Sequence, residues 1–156
     1  MIPGNKERKT GMKKERYTLP AAVHLFLLRG DEILLLRRYN TGYEDGNYSV
    51  PAGHLDGGEE VKSAAIREAR EETGIEIAPE DLRIVGVMHR KSLDERIDFF
   101  LAAEKWTGSI VNAEPDKCDE LRWAHTGELP DNVIPYVRQA IANFQNNQWF
   151  DSFGWN

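Results

Sequence analysis

Three glutamates, Glu68, Glu71 and Glu72, fall directly after Arg67. Their spacing decides what chemistry they could do. On a helix turning about 100° per residue, Val61, Ala65 and Ala69 line up as an apolar stripe, and the three carboxylates fill an arc of roughly 100° that abuts it. Arg70 and Ser63 take the solvent side. Acids that serve only solubility would sit opposite the stripe. Glu68 and Glu72 are also spaced i,i+4, where like charges repel by about a few tenths of a kcal/mol. Partial burial raises that cost. Either their pKa values rise or a cation sits between them. Mg²⁺ suits such a place, being a hard ion that takes carboxylate oxygen and keeps water. The helix alone also allows a plain solvated surface, with Arg67 and Glu71 as an ordinary i,i+4 ion pair.

The segment before the helix adds weight. Pro51 to Gly58 contains Gly53, Gly57 and Gly58, so its backbone can approach a ligand and offer carbonyl or amide groups. Gly57-Gly58 by itself would be only a turn. A glycine-rich loop leading into clustered acids says more than either part alone.

These residues need elements to position them. Ala21 to Leu28 and Glu32 to Arg38 are apolar runs around the turn Arg29-Gly30-Asp31, which reads as a β-hairpin. Asn47 to Val50 reads as a short strand stopped by Pro51, and Ala52 to Gly58 as a loop. Glu59 to Thr73 is a helix ended by Gly74. Leu82 to His89, Arg96 to Ala103 and Glu120 to Ala124 are further strands, and Val133 to Phe144 is a second helix. The pattern predicts an α/β fold, an α/β/α sandwich with a mixed β-sheet. Residues 1–16, with Lys6, Arg8, Lys9, Lys13, Lys14 and Arg16, read as a flexible basic tail. A phosphate-binding arm is the sharper alternative there, and Met12 is an alternative start. Residues 17–156 read as a single domain.

Composition narrows the function. The chain has 156 residues, 40% of them hydrophobic, which suffices for one core. Its net charge of −6 argues against a general nucleic-acid binder. Cys118 is the only cysteine, which excludes an internal disulfide and a cysteine-based metal cluster. No apolar run is long enough to span a bilayer, and no apolar core of a signal peptide follows the first charges. The expectation is a cytoplasmic protein with no membrane partner.

Gly53, Glu59, Arg67, Glu68, Glu71, Glu72, Gly74 and Ile75 together resemble the signature of the Nudix hydrolases. That signature runs Gly, five residues, Glu, seven residues, Arg-Glu, an aliphatic, any residue, Glu-Glu, any residue, Gly, an aliphatic. Ala69 fills the first aliphatic place and no insertion is needed. The resemblance extends from about Leu19 to Phe144. It implies a Mg²⁺-dependent hydrolase of diphosphate linkages, in which Mn²⁺ can substitute. It makes Glu71 and Glu72 metal ligands, and Glu68 a further ligand or the base that takes a proton from water. Arg67 would hold Glu68, Glu59 would steady the network, and a backbone carbonyl near Gly53 would complete the metal shell.

The patch Glu114-Pro115-Asp116-Lys117-Cys118 is similar to the branch of that family acting on nucleoside triphosphates, damaged ones included. There Glu114 would add a metal-directed carboxylate and Lys117 would touch phosphate. The plain alternative is a charged loop leading into a strand. The expected reaction is cleavage of a nucleoside triphosphate, a small-molecule partner, to a monophosphate and pyrophosphate. The alternatives are hydrolysis of ADP-ribose or another nucleoside diphosphate-linked compound, and a silent nucleotide sensor. His24, inside an apolar strand, is expected to be a hydrogen-bonded core histidine. Tyr39, Tyr43 and Tyr48 are expected to pack rather than stack on a base. Trp149, Phe150, Phe153 and Trp155 either dock on the body or close a homodimer.

Overall fold

The computed structural model describes residues 14–156. The greater part of the expected basic tail, and Met12, lie outside the described residues. β1 (Ala21–Arg29) and β2 (Glu32–Arg38) form the expected hairpin, with Gly30 at φ 60° in its turn. Then come β3 (Tyr48–Ser49), β4 (Ala52–His54), α1 (Val61–Thr73) and a short 3-10 turn at Pro79–Asp81. β5 (Leu82–Lys91), β6 (Glu95–Ala103), β7 (Cys118–His125), α2 (Pro135–Gln145) and β8 (Phe150–Phe153) complete the order. The strands run β3-β2-β1-β6-β5-β8, with β4 also on β1 and β7 also on β2. β1 and β6 are parallel, as are β5 and β8, and the remaining pairs are antiparallel. The sheet is therefore mixed, as expected.

β1 explains the sandwich. Side chains alternate across a strand, and β1 is apolar on both sides because each side has its own core. Val23, Leu25 and Leu27 pack with Ala64, Ala65 and Ala69 of α1. Phe26 and Leu28 pack with Val137, Ala140 and Ile141 of α2. One helix thus covers each face.

β1 and β2 pair only near their turn, at Leu28–Ile33 and Arg29–Glu32. Beyond it β1 turns to β4 and β6, while β2 turns to β3 and β7. A cleft opens where the two strands part.

Two elements differ from expectation. Ala52 to Gly58 is not all loop, because Ala52, Gly53 and His54 pair antiparallel with His24, Val23 and Ala22. Gly is a poor strand former in isolation, and here pairing with β1 overrides that preference. The C-terminal aromatics carry a strand, β8, which pairs with β5 from Val87–Phe150 to Arg90–Phe153. Trp155 Nε1 also donates to the His89 carbonyl at 2.9 Å. These residues dock on the body, although Trp149 and Phe150 keep about half their surface exposed. No helix among the described residues is long and apolar enough to cross a membrane.

Candidate active site

α1 is pinned at both ends. The Glu60 side chain accepts from the amides of Lys62 and Ser63 as N-cap. Gly74, at φ 75°, closes the helix in the left-handed conformation that glycine adopts without strain. Ala64, Ala65 and Ala69 are buried, so the helix lies close to the sheet and its carboxylates come down to β4. The contact is tight: a Cβ at Gly53 would stand 1.9 Å from Glu68 Oε2. Glycine at 53 is what allows Glu68 to lie against the strand.

Arg67 organises the acids around it. Its Nε and Nη2 donate to both oxygens of Glu59, at 3.1 and 2.7 Å. Nη1 donates to Glu68 Oε2 at 2.9 Å and reaches Glu71 Oε2 at 3.4 Å. Nη2 also donates to the His54 carbonyl at 3.3 Å. The hydrogen bond from Arg67 holds the Glu59 carboxyl below its usual range. The paired acids raise the Arg67 pKa in return.

Glu68 and Glu72 show the opposite tendency. Burial pushes the Glu68 carboxyl up, against the pull of Arg67. Glu72 rises further, through burial and then through the charges of Glu68 and Glu114. Its Oε2 accepts from the Ala52 amide at 3.3 Å, which offsets only part of this. The Glu71 side chain is 49% exposed. Among the described residues, no three acidic, His or Cys side chains converge into a finished metal cage.

Glu114 reaches this cluster because its loop docks on the end of α1. The amides of Val111 and Ala113 donate to the carbonyls of Thr73 and Glu72, at 3.0 and 3.2 Å. The Glu114 carbonyl then accepts from the amides of Lys117 and Cys118, so the patch is a tight turn.

The cleft encloses about 910 Å³. Gly53, Glu68, Glu71, Glu72, Glu114 and Lys117 all line it. Arg67 does not, and it acts on the cleft through the acids it holds.

The chain matches the NUDIX domain family over residues 18–144. It belongs to the Nudix hydrolase family. A putative 8-oxo-dGTP diphosphatase of Bacillus subtilis (strain 168) is 31% identical over 130 residues, which is 83% of this chain and 81% of that protein. An NAD-capped RNA hydrolase, NudC, of Stutzerimonas stutzeri (strain A1501) is 35% identical over 127 residues, 81% of this chain. The chain spans only 42% of that relative's length. Among solved structures, a MutT NUDIX hydrolase from Burkholderia pseudomallei matches with a TM-score of 0.74 at 24% identity. That match covers 81% of this chain and 98% of the other, and it speaks for the Nudix fold.

Around the Nudix helix, the cleft holds residues that the sequence did not single out as a site. Arg38, Arg90 and Arg96 line it. Arg38 Nε donates to the Tyr43 carbonyl at 2.6 Å, and Arg96 Nη1 lies 3.2 Å from His54 Nε2. Arg90 is buried and ion-paired with Asp98, Nε to Oδ2 at 2.6 Å. Its guanidinium carbon lies 3.6 Å from the centroid of the Tyr136 ring.

His24 is the expected core histidine and belongs to this group, with Nε2 3.0 Å from Tyr136 Oη. Burial lowers its pKa to about 4, so the ring is neutral at physiological pH. Its Nδ1 makes no well-formed hydrogen bond, though the nearby Phe99 carbonyl favours a proton on the ring. Of the three tyrosines, Tyr48 packs as expected, buried with its hydroxyl on Glu120 at 2.7 Å. Tyr43 lines the cleft and is 38% exposed.

Proposed function

We propose that this chain hydrolyses a nucleoside triphosphate to a nucleoside monophosphate and pyrophosphate. One observation carries the reading: a cleft lined by Glu68, Glu72 and Glu114 also carries Arg38 and Lys117. An acidic end with raised proton affinity takes up cations, while basic groups elsewhere in the cleft suit an anionic substrate.

The residues fit a divalent metal. Glu68 and Glu72 are carboxylates whose charges oppose each other in a buried place, and such a pair is relieved by a proton or a cation. Glu68, Glu71, Glu72 and the Gly53 carbonyl would hold Mg²⁺, with Mn²⁺ able to substitute, as hard oxygen donors do. When bound, the metal supplies charge neutralisation of the phosphates and a more acidic water.

The chain's own groups do the rest. Arg67 fixes Glu68 through Oε2. Glu68, so held, accepts the proton as water attacks phosphorus and the bridging P–O bond breaks. Glu114, docked beside Glu72, adds negative charge to the metal end. Lys117 meets the phosphate chain.

A second reading is hydrolysis of ADP-ribose or a related diphosphate. It is favoured by the ADP compounds hydrolase NudE of Escherichia coli (strain K12), 27% identical over 91% of this chain. Product release from a panel of ordinary and oxidised triphosphates, ADP-ribose and sugar nucleotides, with Mg²⁺ and with chelator, separates the two. Mg²⁺-dependent pyrophosphate from triphosphates is the expected result. Turnover of diphosphate-linked compounds alone would move the chain to the second reading. Tight nucleotide binding without turnover of any of them would make it a sensor.

A further inference from the structure

Arg90 lines the cleft yet is only 4% exposed. Its surroundings leave it little freedom. Nε and Nη2 donate to the two oxygens of Asp98, at 2.6 and 3.3 Å. One face rests on the Tyr136 ring. Tyr136 is in turn bonded to His24, whose ring lies 4.7 Å from that of Phe100. Asp98 is wholly buried. The guanidinium is therefore clamped along one edge and one face.

Its other edge is not used. Among the described residues, Nη1 makes no hydrogen bond or ion pair. It is also absent from the fully buried unpaired atoms, so it is open to the cleft. An ion pair that only stapled β5 to β6 would need no open edge on a cleft. Apolar residues of similar volume often do that work at no loss of stability. A clamped arginine with a free edge is suited to reading an acceptor, since its planar fork loses little freedom on binding.

Its position says which part of a nucleotide it meets. The acidic end lies against β4, and Arg90 sits on β5, three strands away in the order β4-β1-β6-β5. Its guanidinium leans onto Asp98 of β6 and Tyr136 of α2, on the α2 side of the sheet, whereas Glu68 lies against Gly53 on the α1 side. With the phosphates at the acidic end, the base reaches the Arg90 end. Tyr43 lines the same cleft as Arg90 and offers a ring that is 38% exposed.

We propose that Arg90 is a specificity-determining residue, whose free Nη1 edge donates to a carbonyl oxygen on the nucleobase and disfavours an exocyclic amine at the same place. This rests on the triphosphate reading above. The chemistry is one of matching: a carbonyl accepts from guanidinium, whereas an amino group turns a donor toward a donor. A site built around such a bond rejects the mismatched base strongly, because its buried donor is left unpaired.

ITP and ATP test this, since their bases differ in a carbonyl against an amine at position 6, with N1 protonated in the first and bare in the second. kcat/KM for both is measured with the wild-type chain and with Arg90→Lys, which keeps a charge for Asp98 but loses the fork. The wild type should prefer ITP by about tenfold to a hundredfold, and Arg90→Lys should bring the ratio toward one. A purely structural role for Arg90 would lower both rates and leave the ratio unmoved. If Arg90→Lys does not fold, Asp98→Asn loosens the same clamp and the ratio must fall there. Equal kcat/KM in the wild type, or a preference that survives these variants, overturns the assignment and leaves the triphosphate reading standing. Turnover of ADP-ribose with none of either triphosphate overturns both.

Discussion

An alanine at position 53 would place its Cβ 1.9 Å from Glu68 Oε2, 2.1 Å from Cδ and 2.7 Å from Oε1. Real Cβ contacts stay beyond 3.0 Å, so the carboxylate has to withdraw by roughly 1 Å or more. A misplacement of that size in an active site costs about 100-fold in rate. The backbone has no reason to resist, because Gly53 is not at positive φ. The 53 carbonyl and the pairing of β4 with β1 remain available. What is lost is the 2.9 Å bond from Arg67 Nη1 to Glu68 Oε2.

Hydrogen bonds to charged groups contribute about 1.5–3 kcal/mol, and this one lies at the low end because Arg67 is 25% exposed. Replacing glycine returns about 0.4–1 kcal/mol by restricting the unfolded chain. The net loss is about 1 kcal/mol, or about 2–4 °C in Tm for a chain of this size. The assay is kcat at saturating substrate with Mg²⁺, beside a thermal melt. A kcat within about threefold of wild type, a barrier change under 1 kcal/mol, would refute the claim that Gly53 exists to seat Glu68. A Tm drop beyond about 10 °C would refute it differently, by showing that the contact mainly holds the fold.

Other perturbations probe the same cluster and its surroundings. Glu72→Gln should lower turnover by orders of magnitude, and in chelator its Tm should match or exceed wild type. The sign follows from a carboxyl whose pKa is raised in the fold, since its ionised form opposes folding at neutral pH and the amide does not. Arg67→Lys cannot replace the fork on Glu59 and the bond to Glu68, so kcat should fall about 10–100-fold, with little change in KM. His24 has a pKa lowered from 6.5 to about 4. The unfolded chain takes up that proton first, so stability should be lost as pH falls from 6.5 to about 4, by about 3 kcal/mol in all. In His24→Gln the Tm-against-pH curve should be flatter across that window. An unchanged slope would place the acid sensitivity elsewhere.

The parts of the molecule legible in sequence are those encoded locally. The Nudix helix is marked by its alanine stripe, its acids and Gly74 within one stretch, and the expected span ends at the same Thr73 as the observed helix. β1 and β2 are apolar runs around a glycine turn and appear where expected. β4 was hidden because Ala52-Gly53-His54 has no strand pattern of its own, and only pairing with β1 makes it a strand. β8 was hidden for the same reason, as four residues held by a distant parallel partner. The acidic cluster followed the same rule, since Glu68, Glu71 and Glu72 share one helix. Arg90, Asp98, His24 and Tyr136 come from β5, β6, β1 and α2, and His24 and Tyr136 meet across 112 residues. The one local signal was a histidine inside an apolar run. A search for charged or polar residues at positions that the strand pattern makes internal would also have found Asp98, whereas Arg90 lies one residue past the expected end of its strand at His89.

The alternation of β1 links these two groups. Val23, Leu25 and Leu27 face the core of α1, the helix that carries the acids. His24 and Phe26, between them, face the layer of α2, which supplies Tyr136 beneath Arg90. One strand thus separates the proposed metal end from the proposed base-reading end while forming a wall of the cleft that joins them. The consequence is a physical one. Substitutions on the α2 face, such as at Tyr136 or Phe100, reach Glu68 and Glu72 only through the strand itself. They are expected to change which nucleotide is preferred more than the rate on the best one. Changes under α1, such as at Ala65 or Ala69, move the carboxylates against Gly53 and strike the rate on every nucleotide alike.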